Sequence, residues 1–120
     1  MEKTSTGLEQ NIAGLLCYVL GWLTGLIFFL IEKENKFVRF HALQSLITSG
    51  AITIFHMIVW NLIIANILLA ISWRMWWLTS SVSSILGLGH FVLMIFLIYK
   101  AYNNEMFKVP FVGDIAEKNA

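Results

Sequence analysis

Asp, Glu, Lys and Arg are absent from residues 10–31, 40–73 and 75–99, and they crowd into the short segments between and around these runs. An uncharged, mainly apolar stretch of about 18 or more residues is long enough to cross a hydrocarbon core as a helix. Within lipid the backbone must satisfy its own hydrogen bonds, which selects helix over an open strand. The pattern predicts an all-α, integral membrane helical bundle with three transmembrane helices, at about residues 12–31, 42–69 and 80–102. Residues 32–41 form an interfacial lead-in to the second helix, and residues 103–120 form a surface tail. The whole chain, 1–120, reads as a single membrane domain.

Within the runs, the polar and small positions are ordered. Ala13, Cys17, Gly21 and Gly25 recur every fourth residue, so they share one face of a helix. Small residues at that spacing let another backbone approach closely in lipid. The face is expected to pack within the chain, with a dimerisation face as the alternative. In the second run His41, Gln44, Ser45, Thr48, Ser49 and His56 fall within roughly 140° of a helical wheel. Lipid disfavours such groups, so the stripe should face other helices, with one wall of a hydrophilic path as the second possibility. Gly87 and Gly89, with Ser80, Ser83 and Ser84, form a less regular small-residue surface on the third run. His56 and His90 sit near the middle of their spans. Two imidazoles without a third ligand fall short of a metal site, and each is expected to be neutral and bonded to a neighbouring carbonyl.

The boundaries orient the chain. Trp73, Trp76 and Trp77 surround Arg74 and mark one membrane surface, since indole prefers the headgroup layer. Lys3 and Arg74 then lie on one side, against Lys33, Lys36, Arg39, Lys100, Lys108 and Lys118 on the other. Positive residues favour the cytoplasm. The expectation is a multi-pass protein of the cell (plasma) membrane with its amino terminus outside and its first loop and carboxyl terminus cytoplasmic.

Composition narrows the classes. The chain is 58% hydrophobic and 12% charged, and its mean hydropathy is +0.76; an ordinary soluble domain carries about 25% charge. A net charge of +1 and the lack of a basic run argue against nucleic acid as a partner. Cys17 is the only cysteine, so no internal disulfide forms. Glu2 and Glu9 against Lys3, with Leu30-Ile31-Glu32-Lys33 after the first run, do not suit a cleaved leader.

The ends of the runs carry local signals. Asn35 suits the N-cap of the second helix. Phe37, Phe40 and Leu43 are expected at the headgroup boundary, with Arg39 reaching phosphates. Pro110 should break any helix leaving the third span, and Asp114 should cap a last short turn. Phe107, Val109, Phe111, Val112 and Ile115 place the tail on the membrane surface or over the first loop.

Two of these segments carry a resemblance. Phe37-Val38-Arg39-Phe40-His41-Ala42-Leu43-Gln44-Ser45, together with Lys100-Ala101-Tyr102 and Lys108-Val109-Pro110-Phe111-Val112-Gly113-Asp114-Ile115-Ala116-Glu117, resembles a family of small, mostly uncharacterised archaeal and bacterial membrane proteins. It is similar to the magnetosome proteins MamF and MmsF, and more distantly to the twenty-kilodalton subunit of the chloroplast inner-envelope protein translocon. The resemblance marks Phe37, Arg39, Phe40, His41, Gln44, Ser45, Pro110, Gly113 and Asp114 as motif or interface positions. It implies a helical bundle that works in complexes, with no known catalytic activity and no cofactor.

The residues point the same way. All seven carboxylates lie outside the uncharged runs, no nucleophile–base–orienter set is arguable from spacing, and no glycine-rich phosphate loop follows a strand. No catalytic, cofactor or metal residue is assigned. The expected role is a non-catalytic assembly module that contacts lipid and associates with itself or with other membrane proteins. The alternative is a transport or protein-translocation component whose second-helix stripe lines a path.

Overall fold

A computed structural model describes residues 3–120; Met1 and Glu2, the latter part of the acidic start, lie outside the described residues. Five helices follow one another: α1 (Gln10–Val19), α2 (Trp22–Ile31), α3 (Lys36–Leu69), α4 (Trp73–Tyr102) and α5 (Val112–Asn119). The molecule is a rod, 56 × 23 × 23 Å. Two helices, α3 and α4, are long and apolar enough to cross a membrane.

The axis of the rod is an antiparallel hairpin of α3 and α4. At 34 and 30 residues they measure about 51 and 45 Å. Hydrogen bonds join it along its length in antiparallel order: the Asn66 side chain with the Ser72 backbone, and the side chains of His56 with Ser83 and Ser49 with His90. The turn between them is tight. Ala70 adopts the left-handed conformation (φ 47°). The Asn66 amide closes the loop, donating to the Ser72 carbonyl at 3.0 Å and accepting from the Ser72 amide at 3.0 Å. Ser72 Oγ then caps α4, accepting from Met75 N.

The expected first span, residues 12–31, is not one crossing helix. It is two helices of 10 residues, each about 15 Å long and far short of the hydrocarbon thickness. They fold into a second, shorter hairpin against the first third of α3. Along α1 the neighbours on α3 advance, from Gln10 beside Asn35, through Cys17 beside Val38 and Tyr18 beside His41, to Gly21 beside Ser45. Along α2 they retreat, from Gly25 against Ala42 to Phe29 beside Arg39. Its tip reaches the level of Ser49 and Gly50, about 20 Å along α3, and then returns.

The break has a local cause. Gly21 sits at φ 65°, ψ −130°, a region that side chains with a Cβ rarely enter. Helix ends leave unpaired amides and carbonyls, and here hydroxyls take them up. Thr24 Oγ1 accepts from Leu20 N at 3.2 Å and donates to the Cys17 carbonyl at 3.1 Å, and Ser45 Oγ donates to the Gly21 carbonyl at 2.9 Å. A run without charges hides this turn because its polar groups are satisfied by two hydroxyls rather than by water.

Other boundaries shift too. The lead-in expected at residues 32–41 is the start of the continuous helix α3, with Phe37 and Phe40 buried in protein instead of at the headgroup boundary. Trp73, Trp76 and Trp77 lie in the first turns of α4, with Trp73 stacked on Trp76 at 5.1 Å, and not in a loop. The last long helix, α4, stops at Tyr102, before Pro110. Asn104, at φ 59°, turns the chain there. Asp114 lies in the first turn of α5 and does not cap it.

The two core clusters occupy one half of the rod, while in the other half Val59 and Ile63 are buried between α3 and α4. Ala13, Cys17, Tyr18, Phe37, Val38, Ala42, Met94, Leu97 and Ala101 make one buried cluster; Phe40, Leu43 and Ala116 make a second beneath α5. Beyond Gly50, α3 and α4 have only each other, and Ile54, Phe55, Met57, Ile58, Trp60, Leu62, Ile64, Leu68, Ile85 and Leu88 are exposed.

Candidate functional site

The polar motif residues gather at the core end of the rod in three layers. The outermost is built around Glu32, fully buried between α2 and α3. Its carboxylate accepts from Ser5 N at 2.9 and 3.0 Å, Ser5 Oγ at 2.8 Å, Glu34 N at 3.0 Å and Asn35 N at 3.1 Å. Burial alone would raise this carboxyl, but the hydrogen bonds from Ser5, Asn35 and Glu34 outweigh it and hold the group below its ordinary value. Asn35 caps α3, accepting from Val38 N at 3.1 Å, and its amide donates to the Lys3 carbonyl and to Gln10 Oε1. Arg39 does not reach outward. Its Nη1 donates to the carbonyls of Phe29 (3.1 Å) and Glu32 (2.6 Å), and its guanidinium lies 4.4 Å from the Phe29 ring centroid.

The middle layer joins three segments distant in sequence. His41 Nε2 meets the Glu105 carbonyl at 3.0 Å, which fixes that nitrogen as the donor and leaves Nδ1 to accept from Tyr18 Oη at 2.7 Å. Tyr18 Oη in turn accepts from Gln44 Nε2 at 3.0 Å. Gln44 also donates to the Phe107 carbonyl and accepts from Val109 N, both at 2.9 Å. Every polar atom of His41 and Gln44 is thereby used, and the extended tail 105–109 is strapped across the start of α3. Further on, Lys108 pairs with Asp114 at 3.5 Å and closely with Glu117, which raises the Lys108 ammonium above its ordinary value. Gly113 packs against the Lys108 side chain so tightly that a Cβ would collide with it. Pro110 and Phe111 turn the strap into α5, with Phe111 pointing outward, 87% exposed.

The deepest layer holds the hairpin tip. A Cβ on Gly25 would stand 2.8 Å from the Ala42 carbonyl and 2.9 Å from Leu46 N, so α2 and α3 touch backbone to backbone. Ala13 and Cys17 are wholly buried, while Gly21 forms the turn itself. Ser49 Oγ bonds His90 Nε2 at 3.0 Å and Ser83 Oγ bonds His56 Nε2 at 2.7 Å. The two histidines thus pair with hydroxyls, not with the expected carbonyls. Thr48 Oγ1 is buried with no hydrogen-bond partner among the described residues. Among the described residues no three His, Cys, Asp or Glu side chains are placed to hold a metal ion.

Comparison with known proteins places this arrangement. The family model of the magnetosome magnetite crystal formation proteins, MamF/MmsF, matches residues 4–116. This chain belongs to that family. Among its relatives is a UPF0132 membrane protein of Methanocaldococcus jannaschii, 43% identical over 98% of this chain and 94% of its own. A UPF0132 membrane protein of Archaeoglobus fulgidus is 40% identical over 92% of this chain and 95% of its own. A second protein of M. jannaschii is 40% identical over 93% of this chain and 71% of its own. No solved structure matches the chain. Its relatives are membrane proteins by name, and none of these names states a role.

The family match runs from the segment clamped by Glu32 to α5. Sequence reasoning singled out His41, Gln44 and Ser45 but missed what they hold. Tyr18, the only hydroxyl-bearing aromatic in the first run, and Glu32, the first carboxylate after it, were the available signals for the two layers they centre.

Proposed function

We propose that this member of the MamF/MmsF family is a non-catalytic membrane module that acts by assembling with copies of itself or with other membrane proteins. It crosses the bilayer twice, through α3 and α4, and the α1–α2 hairpin enters only part way from the core end. This replaces three crossings with two crossings and a half-depth brace. The core end, with the tail and α5, faces the cytoplasm, and the Trp73–Trp77 end faces away.

One observation carries this reading. The stripe of α3 that would line a path is occupied: His41 and Gln44 hold the tail, Ser45 holds the hairpin tip, and Ser49 and His56 are bonded to α4. The unpartnered surface is instead the apolar distal half of α3 and α4. Helices in lipid associate through packing and interhelical bonds, and a bare two-helix hairpin offers that surface on all sides. The family name ties its members to magnetite crystal formation. Nothing in the distal turn favours a mineral here, since Arg74 is its charge and no carboxylate accompanies it.

The test is cysteine crosslinking in native membranes, with single cysteines at Ile64 and Leu68 and the native Cys17, which is buried, changed to Ala. Crosslinked species at both positions are expected. Monomer alone, together with ion flux through liposomes and aqueous labelling of cysteines at Ser45 and Thr48, would replace the assembly reading by the path.

A further inference from the structure

A cavity of about 260 Å³ lies where the tip of the α1–α2 hairpin meets α4. Tyr18, Gly87, His90 and Met94 form its interior, and Val19, Phe91 and Ile95, each at least half exposed, form its rim. The Ser49–His90 pair lies 13 residues beyond Lys36, which is about 20 Å along α3. The rim therefore opens sideways into hydrocarbon, and whatever enters must come from the bilayer.

The cavity is not purely apolar. His90 spends Nε2 on Ser49, and its Nδ1 has no protein partner among the described residues. A polar nitrogen at this depth is costly without a bond. The Ser49 hydroxyl can donate or accept, so the free Nδ1 can take either role toward a ligand oxygen. Size limits the ligand, since a cavity of about 150 Å³ already holds benzene. The space is therefore large enough for a substituted ring. We infer that this cavity binds the ring of a membrane-soluble quinone or its quinol, with a ring oxygen on His90 Nδ1 and the tail leaving past Ile95 and Ile98. The inference rests on α3 and α4 lying in the membrane and is independent of assembly.

Binding of a radiolabelled one-isoprene benzoquinone to the full chain in phosphatidylcholine nanodiscs tests it, with empty discs as the blank. Saturable binding of one quinone per chain is expected, uncompeted by decylbenzene, which has no oxygen. His90→Gln keeps a donor near Ser49 but removes the Nδ1 position, and should weaken binding about tenfold, the scale of one hydrogen bond. His90→Asn places an amide near the Nδ1 position and should bind more tightly than His90→Gln. Ile95→Trp narrows the exposed rim and should weaken binding whether or not the His90 variants keep their fold. Binding no greater than to empty discs, equal competition by decylbenzene, or wild-type affinity in His90→Gln or Ile95→Trp would overturn the assignment. So would equal loss in the Gln and Asn variants with their melting temperatures unchanged. Because crosslinking at Ile64 and Leu68 is read separately, failure of the quinone site and failure of assembly give different results.

Discussion

Gln44 shows how much a single side chain holds in this fold. It bonds Tyr18, the Phe107 carbonyl and Val109 N at once. Gln44→Leu leaves the part-buried Phe107 carbonyl and Val109 amide without this partner, a loss of about 1 kcal/mol for each bond. The tail should detach, with the melting temperature in detergent lowered and protease cleavage between Phe107 and Val109 increased; an intact tail with an unchanged melting curve would count against the strap. Glu32 allows a pH test. Its carboxyl is held below the ordinary value, so its stabilising effect is complete above about pH 4.5, the unfolded value. The effect is lost as pH falls through the lower, folded value. Thermal unfolding between pH 6 and 3 should therefore show an acid-side loss of stability that Glu32→Gln lacks. The polar character of both residues is plain in the sequence. Their partners are not, because the Glu105, Phe107 and Val109 backbone groups that complete the middle layer belong to a segment whose side chains carry no sign of it.

At the scale of elements, α3 and α4 were legible because lipid imposes length, apolarity and the absence of charge together, and both helices meet all three conditions. The α1–α2 hairpin meets the last two, and so it passes for one more span. Only the backbone of Gly21 and the hydroxyls of Thr24 and Ser45 distinguish it, and glycine, threonine and serine are ordinary within membrane helices. Gly21→Ala should cost about 1–3 kcal/mol from the disallowed backbone region, with a further loss from collision with Ser49 Oγ. Gly25→Leu should do more damage, since the obstacles are the backbone of Ala42 and Leu46, which cannot rotate away. Both variants would be compared by thermal unfolding in detergent. A Gly25→Leu protein as stable as the wild type would remove the close approach of α2 to α3. The small-residue face thus divides by position, with Gly25 at a contact and Gly21 at a turn.

For the whole molecule, the hairpin changes the parity of the chain. Three crossings put the two termini on opposite sides. Two crossings and a brace that enters and returns put them on the same side, and hydrogen bonds tie these segments together: Ser5 to Glu32, Gln10 to Asn104, Asn11 to the Tyr102 carbonyl. On the proposed two crossings, the outside amino terminus expected opposite a cytoplasmic first loop gives way to termini on one side, in keeping with these contacts, because residues on opposite faces of a bilayer cannot meet. The charge distribution then becomes more one-sided. Lys3 joins Lys33, Lys36, Arg39, Lys100, Lys108 and Lys118 at the core end, leaving Arg74 alone at the other, seven against one where the three-span arrangement had six against two. Positive charge in short loops favours the cytoplasm, so both termini should be cytoplasmic. Reporters active only inside or only outside the cell, fused to each terminus and inserted after Ile71, decide it: the terminal fusions should report inside and the insertion outside. Termini on opposite faces would restore a full first crossing and would separate Ser5 from Glu32. That outcome would dismantle the outer layer of the core end and, with it, the half-depth hairpin that brings Gly21 against Ser45.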